Sequence, residues 1–272
     1  MIRWLRTPKG WVVATLIALL AVAAPVEGPG RIAVQVAAAV VGACAVDVTL
    51  EMRRRNAIVI TSPDGALITG LIVALVLIAG APVLVALAAA GLAVASKHFL
   101  RAPQFHLFNP AAVGLLVALV VFPTGQSWWG ALADLPPPFI AILVLGGALV
   151  ANRVNRLPAV ITFLGISFAV FTVAGLLLGT DQPRVAEVFR VPFINAAIFF
   201  ACLMLTDPAT SPGRPGEQVR FAGVVAIASA VCFVAVEGLW YLFVGLLAGN
   251  AWFAWRRSRI ATSPLTVTDE SA

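Results

Sequence analysis

The chain has 272 residues, 61% of them apolar and only 11% charged, with a mean hydropathy of +1.01. That balance places it among polytopic membrane proteins and leaves no stretch for a soluble catalytic domain. Its net charge of +6 is scattered in short clusters between apolar runs, which excludes a nucleic-acid surface and points to membrane topology. Cys44, Cys202 and Cys232 stand alone in apolar segments, so neither a disulfide framework nor a zinc site is expected.

Taken in order, the basic segment MIRWLRTPKG precedes an apolar run over 11–24, which reads as an uncleaved first span rather than a signal peptide. Further spans are expected at 32–50, 65–79, 82–96, 110–122, 139–151, 158–178, 192–205, 219–236 and 238–255. The expected fold class is therefore all-α: a polytopic membrane protein of about ten transmembrane helices, some short or broken. It reads as one integral membrane domain over 1–272, with short tails at about 1–10 and 257–272.

Charge supports the count independently of hydropathy. Of the 18 Lys and Arg residues, 15 fall on one alternating side, from Arg3, Arg6 and Lys9 to Arg256, Arg257 and Arg259. The other side holds three, Arg31, Arg184 and Arg190. This is the positive-inside pattern of a cell-membrane protein with both termini cytoplasmic. A missed or invented span would scramble the alternation beyond it.

Polarity is concentrated in SKHFLRAPQFHLFNPAAVG, Ser96 to Gly114, where Lys97, His98, Arg101 and His106 precede Asn109-Pro110. Asn is a favoured N-cap and Pro a favoured first helical residue, so a helix should begin there. At about 1.5 Å per residue, the run over 110–122 reaches only roughly 20 Å, short of a hydrocarbon core of about 30 Å. Ser62-Pro63 and Asp207-Pro208 repeat the cap-then-proline pattern on the same expected face. Converging helix N-termini offer unpaired N–H groups and positive dipole ends, suited to an anion or an electron-rich ring. Capped loops that merely start helices remain the alternative.

Three segments, TSPDGALITGLIVALVL (Thr61 to Leu77), KHFLRAPQFHLFNPAAVGLLVALVVFP (Lys97 to Pro123) and LTDPATSP (Leu205 to Pro212), resemble the NqrB/RnfD family in order and spacing. Members are membrane subunits of the sodium-pumping NADH:quinone oxidoreductase and of the Rnf ferredoxin:NAD oxidoreductase. The resemblance implies ten helices and a subunit of a flavin-linked electron transport complex, coupled to Na⁺ or H⁺ movement. Its partners would be other membrane and membrane-anchored redox subunits, besides the lipid bilayer. Family members carry FMN on the threonine of an SGAT-like motif in the loop after the FNPA span. Here that loop is TGQSWWGALADLPPP, Thr124 to Pro138, and lacks the motif. That departure speaks against covalent FMN and leaves a non-covalent flavin, riboflavin or FMN, or an electron-transfer role borrowed from partners.

The candidate cofactor-binding residues are Ser62, Thr69, Lys97, His98, Asn109, Pro110, Asn195, Asp207, Thr210 and Ser211. Asn195 lies inside a span and would contact either a ring or cation, or another helix. Gln35 and Asp47 are polar groups in the second span, and Asp47, four residues from Glu51, reads as interfacial. Trp128, Trp129, Trp240, Trp252 and Trp255 fall at span ends, where interfacial anchoring accounts for them. No catalytic residue and no metal site is expected, since His98 and His106 lie eight apart around Pro103. A channel or transporter, or a non-redox scaffold for electron-transfer partners, are the competing functional classes. Reporter fusions after Arg257 and at Arg214 should score as cytoplasmic and one near Trp129 as external; an external C-terminus would overturn the ten-span topology.

Overall fold

The computed structural model describes residues 7–56, 64–102, 105–178, 183–236 and 238–262. Ser62 and Pro63 lie outside the described residues. The helices are α1 (Pro8–Glu27), α2 (Pro29–Arg55), α3 (Asp64–Val76), α4 (Val83–Phe99), α5 (Pro110–Val121), α6 (Ile140–Arg153), α7 (Leu157–Leu178), the short α8 (Pro183–Glu187), α9 (Phe193–Leu203), α10 (Pro215–Ala235) and α11 (Tyr241–Thr262). A two-residue antiparallel pair, β1 (Arg101–Ala102) with β2 (Phe105–His106), folds the polar segment back before α5. A helix stands at each of the ten expected spans, and the protein is an all-α polytopic membrane protein. The last helix, α11, runs beyond the expected span, through Arg256 and Arg257 to Thr262.

Proline and capping residues set the helix starts. Thr7 accepts a hydrogen bond from the Gly10 N–H at 3.1 Å, with Pro8 in the first turn of α1. Gly28, at φ 91°, breaks α1 from α2, a conformation that would strain a side-chain-bearing residue. Among the described residues four helices, α1, α2, α7 and α10, are long and apolar enough to cross a membrane. Others are short: α3 has 13 residues, α5 has 12 and α9 has 11. At about 1.5 Å per residue they extend roughly 16–20 Å, so their ends fall inside the bundle.

Those interior ends need partners, because an unsatisfied backbone group in an apolar setting is costly. At the end of α3, the Gln35 amide donates to the Ala74 carbonyl at 3.0 Å and accepts from the Gly80 and Ala81 N–H groups at 2.7 and 3.0 Å. The Trp129 indole also donates to the Ala74 carbonyl, at 2.8 Å. Trp128 stacks on Phe243 at 5.4 Å and meets Phe199 edge-on. Trp128 and Trp129 are 0% and 1% exposed, which corrects their reading as interfacial anchors: they plug the interior beneath the loop after α5.

Neighbour relations repeat between the two halves of the chain. In the first, α2 packs on α3 and α4, α4 on α5, and α1 on α3. In the second, α7 packs on α9 and α10, α10 on α11, and α6 on α9. The halves meet where α1 crosses α6 and α5 crosses α11. A repeat of five alternating helices inverts its second copy relative to the first.

Close packing inside each half depends on small residues. A Cβ built on Gly42 would strike the Leu87 carbonyl, and one on Gly245 would strike the Ser229 hydroxyl and sit 2.8 Å from the Val225 carbonyl. Gly245→Leu should therefore destabilise the α10–α11 pair by at least about 1–3 kcal/mol, read as a lower melting temperature in detergent. Gly165→Leu, where a Cβ meets nothing within 4 Å, should melt as wild type.

Candidate functional site

Asn109 caps α5 as its sequence demands: its side-chain oxygen accepts from the Ala112 N–H at 3.1 Å. Its remaining groups reach into the other half of the bundle. The Asn109 side-chain amide donates to the Met204 carbonyl at 3.1 Å, just beyond the end of α9. The Asn109 N–H donates to the side-chain oxygen of Asn250, on α11, at 2.9 Å, and the Asn250 amide donates in turn to the Thr210 carbonyl at 3.1 Å. Asn109 and Asn250 are both buried. One chain of hydrogen bonds thus joins the FNPA turn to the TDPATSP turn.

The second turn is organised by Asp207. Its carboxylate accepts from the Ala209 N–H at 3.1 Å and from the Thr210 hydroxyl at 3.0 Å, while its carbonyl accepts from the Ser211 hydroxyl at 2.7 Å. Arg156 braces the turn from the start of α7, donating from Nε to the Ser211 hydroxyl at 2.9 Å. Burial pushes the Asp207 carboxyl above its ordinary value, against the opposing hydrogen bonds from Ala209 and Thr210. Burial also holds the His106 imidazole below its usual value, which favours the neutral ring. Its Nδ1–H donates to the Lys97 carbonyl at 3.1 Å, so Nε2 is left as an acceptor.

Between the halves lies a cavity of about 430 Å³ lined by Thr69, Lys97, His106, Asn109, Pro110 and Asp207. Ile68, Ile72, Val150, Val154 and Leu203 form its apolar wall. At its edge Lys97 Nζ lies 2.7 Å from Asp47 Oδ1, and His98 Nε2 lies 2.9 Å from the same oxygen. Asp47 is thus an ion-paired group that also lines the cavity. The arrangement offers cationic and neutral donors on one side, a carboxylate on the other and aliphatic surface between them. Such a set suits a planar ligand with both hydrogen-bond donors and acceptors on its rim.

Of the sequence-derived candidates, Thr69, Lys97, Asn109, Pro110 and Asp207 meet at this cavity. His98 stands behind it through Asp47, and Thr210 supports Asp207. Ser211 turns toward Arg156 and a separate basic cavity. Asn195 is not brought to the site: it sits at the far end of α9, where its amide donates to the Ala131 carbonyl at 3.0 Å. Ser62 lies outside the described residues. Sequence reasoning missed Asn250, although a single amide in the apolar run LLAGNAWF is a signal that it serves a buried partner. Among the described residues no group of three or more His, Cys, Asp or Glu could hold a metal ion.

The comparison with known families bears on the half of the chain that supplies the FNPA turn. Residues 5–135 match the NQR2, RnfD, RnfE family. Over that range the chain is similar to NqrB/RnfD-type proteins. The matched range takes in Thr69, Lys97, His98, Asn109 and Pro110, and ends ahead of the TDPATSP turn. No curated protein matches the chain. The match supports a membrane subunit related to those of Rnf- and Nqr-like complexes.

Asn250→Ala would leave the buried Asn109 N–H without its acceptor, at a cost of about 1–3 kcal/mol, measurable as a fall in melting temperature; Asn250→Asp keeps the acceptor and should lose less. Asp207 gives a signed pH test. A carboxyl raised above its unfolded value stabilises the fold at low pH, and this contribution is lost as pH rises through the folded-state value. Asp207→Asn should thus melt at or above wild type near neutrality, with the difference vanishing below about pH 4. A variant less stable at pH 7 than at pH 4, relative to wild type, would refute it.

Proposed function

We propose that the chain holds a non-covalent flavin, riboflavin or FMN, between its two halves and passes electrons to partner subunits of an Rnf- or Nqr-like complex. The observation that carries this reading is the 430 Å³ cavity in which Lys97, His106, Asn109 and Asp207 converge from both halves. Its size lies in the range of cofactor pockets, about 300–1,000 Å³, and its apolar wall with few polar groups suits a flat heteroaromatic ring. The chain's own residues have defined tasks. Lys97 donates to a ring carbonyl or nitrogen, His106 Nε2 and Asp207 accept from ring N–H groups, and Ile68, Ile72 and Leu203 exclude water. A bound flavin supplies one- and two-electron transfer; the protein sets its orientation and electrostatics. The absence of an SGAT-like threonine in 124–138 supports non-covalent attachment. With 15 of 18 cationic residues on the cavity's side of the sequence alternation, we place that mouth and both termini at the cytoplasmic face of the cell membrane.

A second reading has an observation of its own. Inverted five-helix repeats with short helices meeting near mid-bundle are a transporter design, which favours passage of a small solute or ion through the same cavity. Purification with its neighbouring subunits separates the two. The flavin reading expects a flavin absorbance band that leaves with the extract after acid denaturation and no in-gel fluorescence on the chain. Lys97→Met and Asp207→Leu should each lower flavin content at matched membrane abundance. Colourless protein that conducts solute into liposomes would favour transport.

A further inference from the structure

A second cavity, of about 450 Å³, opens beside the first turn of α10 and the last turns of α11. Its lining is basic: Arg156, Arg214, Arg256 and Arg257, against one carboxylate, Glu217. None of these charged residues lines the cavity proposed for the flavin, and the two cavities share Pro208. The guanidinium groups are organised rather than loose. Arg256 stacks over Trp252 at 5.2 Å and Arg257 over Phe253 at 5.5 Å, and both rings line the same cavity. Stacking fixes the guanidinium plane, and for Arg256 it leaves the N–H edge for an acceptor.

Arg156 is the deepest of the four, 8% exposed. Its donors go to neutral oxygens, those of Ser211, Val154 and Asn155, at 2.9 to 3.5 Å. Among the described residues no carboxylate lies within ion-pair distance of it. A buried guanidinium is ordinarily matched by an anion, and the 21-residue helix α10 adds its positive dipole end at Arg214 and Pro215. A lining this rich in guanidinium groups, with the buried Arg156 matched by no carboxylate among the described residues, calls for a ligand of negative sign. The apolar course of α11 gives way to Arg256 and Arg257 at this level, so the cavity sits where a bilayer presents its phosphates.

We propose that this cavity is a phosphate-binding site, filled by the headgroup of an anionic phospholipid or by a free phosphate ester. The guanidinium edges would take the phosphate oxygens, while Trp252 and Phe253 would face the glycerol or acyl portion of a lipid. The delipidated full-length protein in a neutral detergent tests this, titrated with phosphatidylglycerol, phosphatidylcholine or inorganic phosphate and read by native mass spectrometry and melting temperature. Phosphatidylglycerol should bind well ahead of phosphatidylcholine. Arg256→Gln with Arg257→Gln should weaken that binding roughly thirtyfold, since each arginine near a charged headgroup contributes about fivefold. Arg220→Gln with Arg259→Gln, equal in charge but off the cavity, should leave it within about twofold of wild type. Arg156→Lys, which retains the charge in case Arg156→Gln fails to fold, should weaken binding by losing the fixed fork. Competition by millimolar phosphate identifies the phosphate itself as the ligand, and its absence identifies the whole lipid; either supports the site. Equal binding of the two lipids, or equal loss in both double variants, would overturn it.

Discussion

Helices that stop inside an apolar bundle must have their last carbonyls and first N–H groups met by something other than water, and much of this structure answers that requirement. At one end of the bundle the answer is Asn109 with Asn250. Together they supply the first-turn acceptor of α5, fix the Asn109 N–H, and hold the Met204 and Thr210 carbonyls beyond α9. At the other end it is Gln35 with Trp129, which close the end of α3 and the turn after it. A missing partner in such a place costs about 1–3 kcal/mol, several times what an exposed bond contributes, so these few amides weigh more than their number suggests.

The two ends solve one problem twice, in inverted copies. The turn after α3 is braced from α2 by Gln35, and the turn after α9 is braced from the start of α7, the counterpart of α2, by Arg156. The solutions differ in what they leave behind. Trp128 and Trp129, both buried, pack into the first-half end against Phe199 and Phe243. In the second half the turn from Thr206 to Ser211 carries its own carboxylate and is folded by short local bonds. It leaves room beside Lys97 and His106 for the cavity between the halves.

Much of this was legible in the chain itself. Hydropathy and the alternation of Lys and Arg located every principal helix, because each signal depends only on local composition. The Asn109-Pro110 cap was legible for the same reason. Asp207 was recognisable as a turn residue, though not as the organiser of Thr210 and Ser211. What escaped were relations between distant residues. The pairing of Asp47 with Lys97 and His98 joins positions 51 apart, for His98, and Asn250 answers a donor 141 positions away. Trp128 and Trp129 misled for a physical reason: a tryptophan at a span end has the composition of an interface anchor, and only packing against Phe199 and Phe243 shows that the loop has folded inward.

The reach of Asn250 has a consequence for how the protein is made. A chain leaves the ribosome amino terminus first, so α5 and its cap are synthesised long before the acceptor for the Asn109 N–H exists. Until α11 arrives, that N–H and the Thr210 carbonyl must be held by water or by a chaperone at the membrane surface. The site between the halves is therefore among the last parts of the molecule to close. The cavity is complete for a ligand only once both halves of the chain have been made.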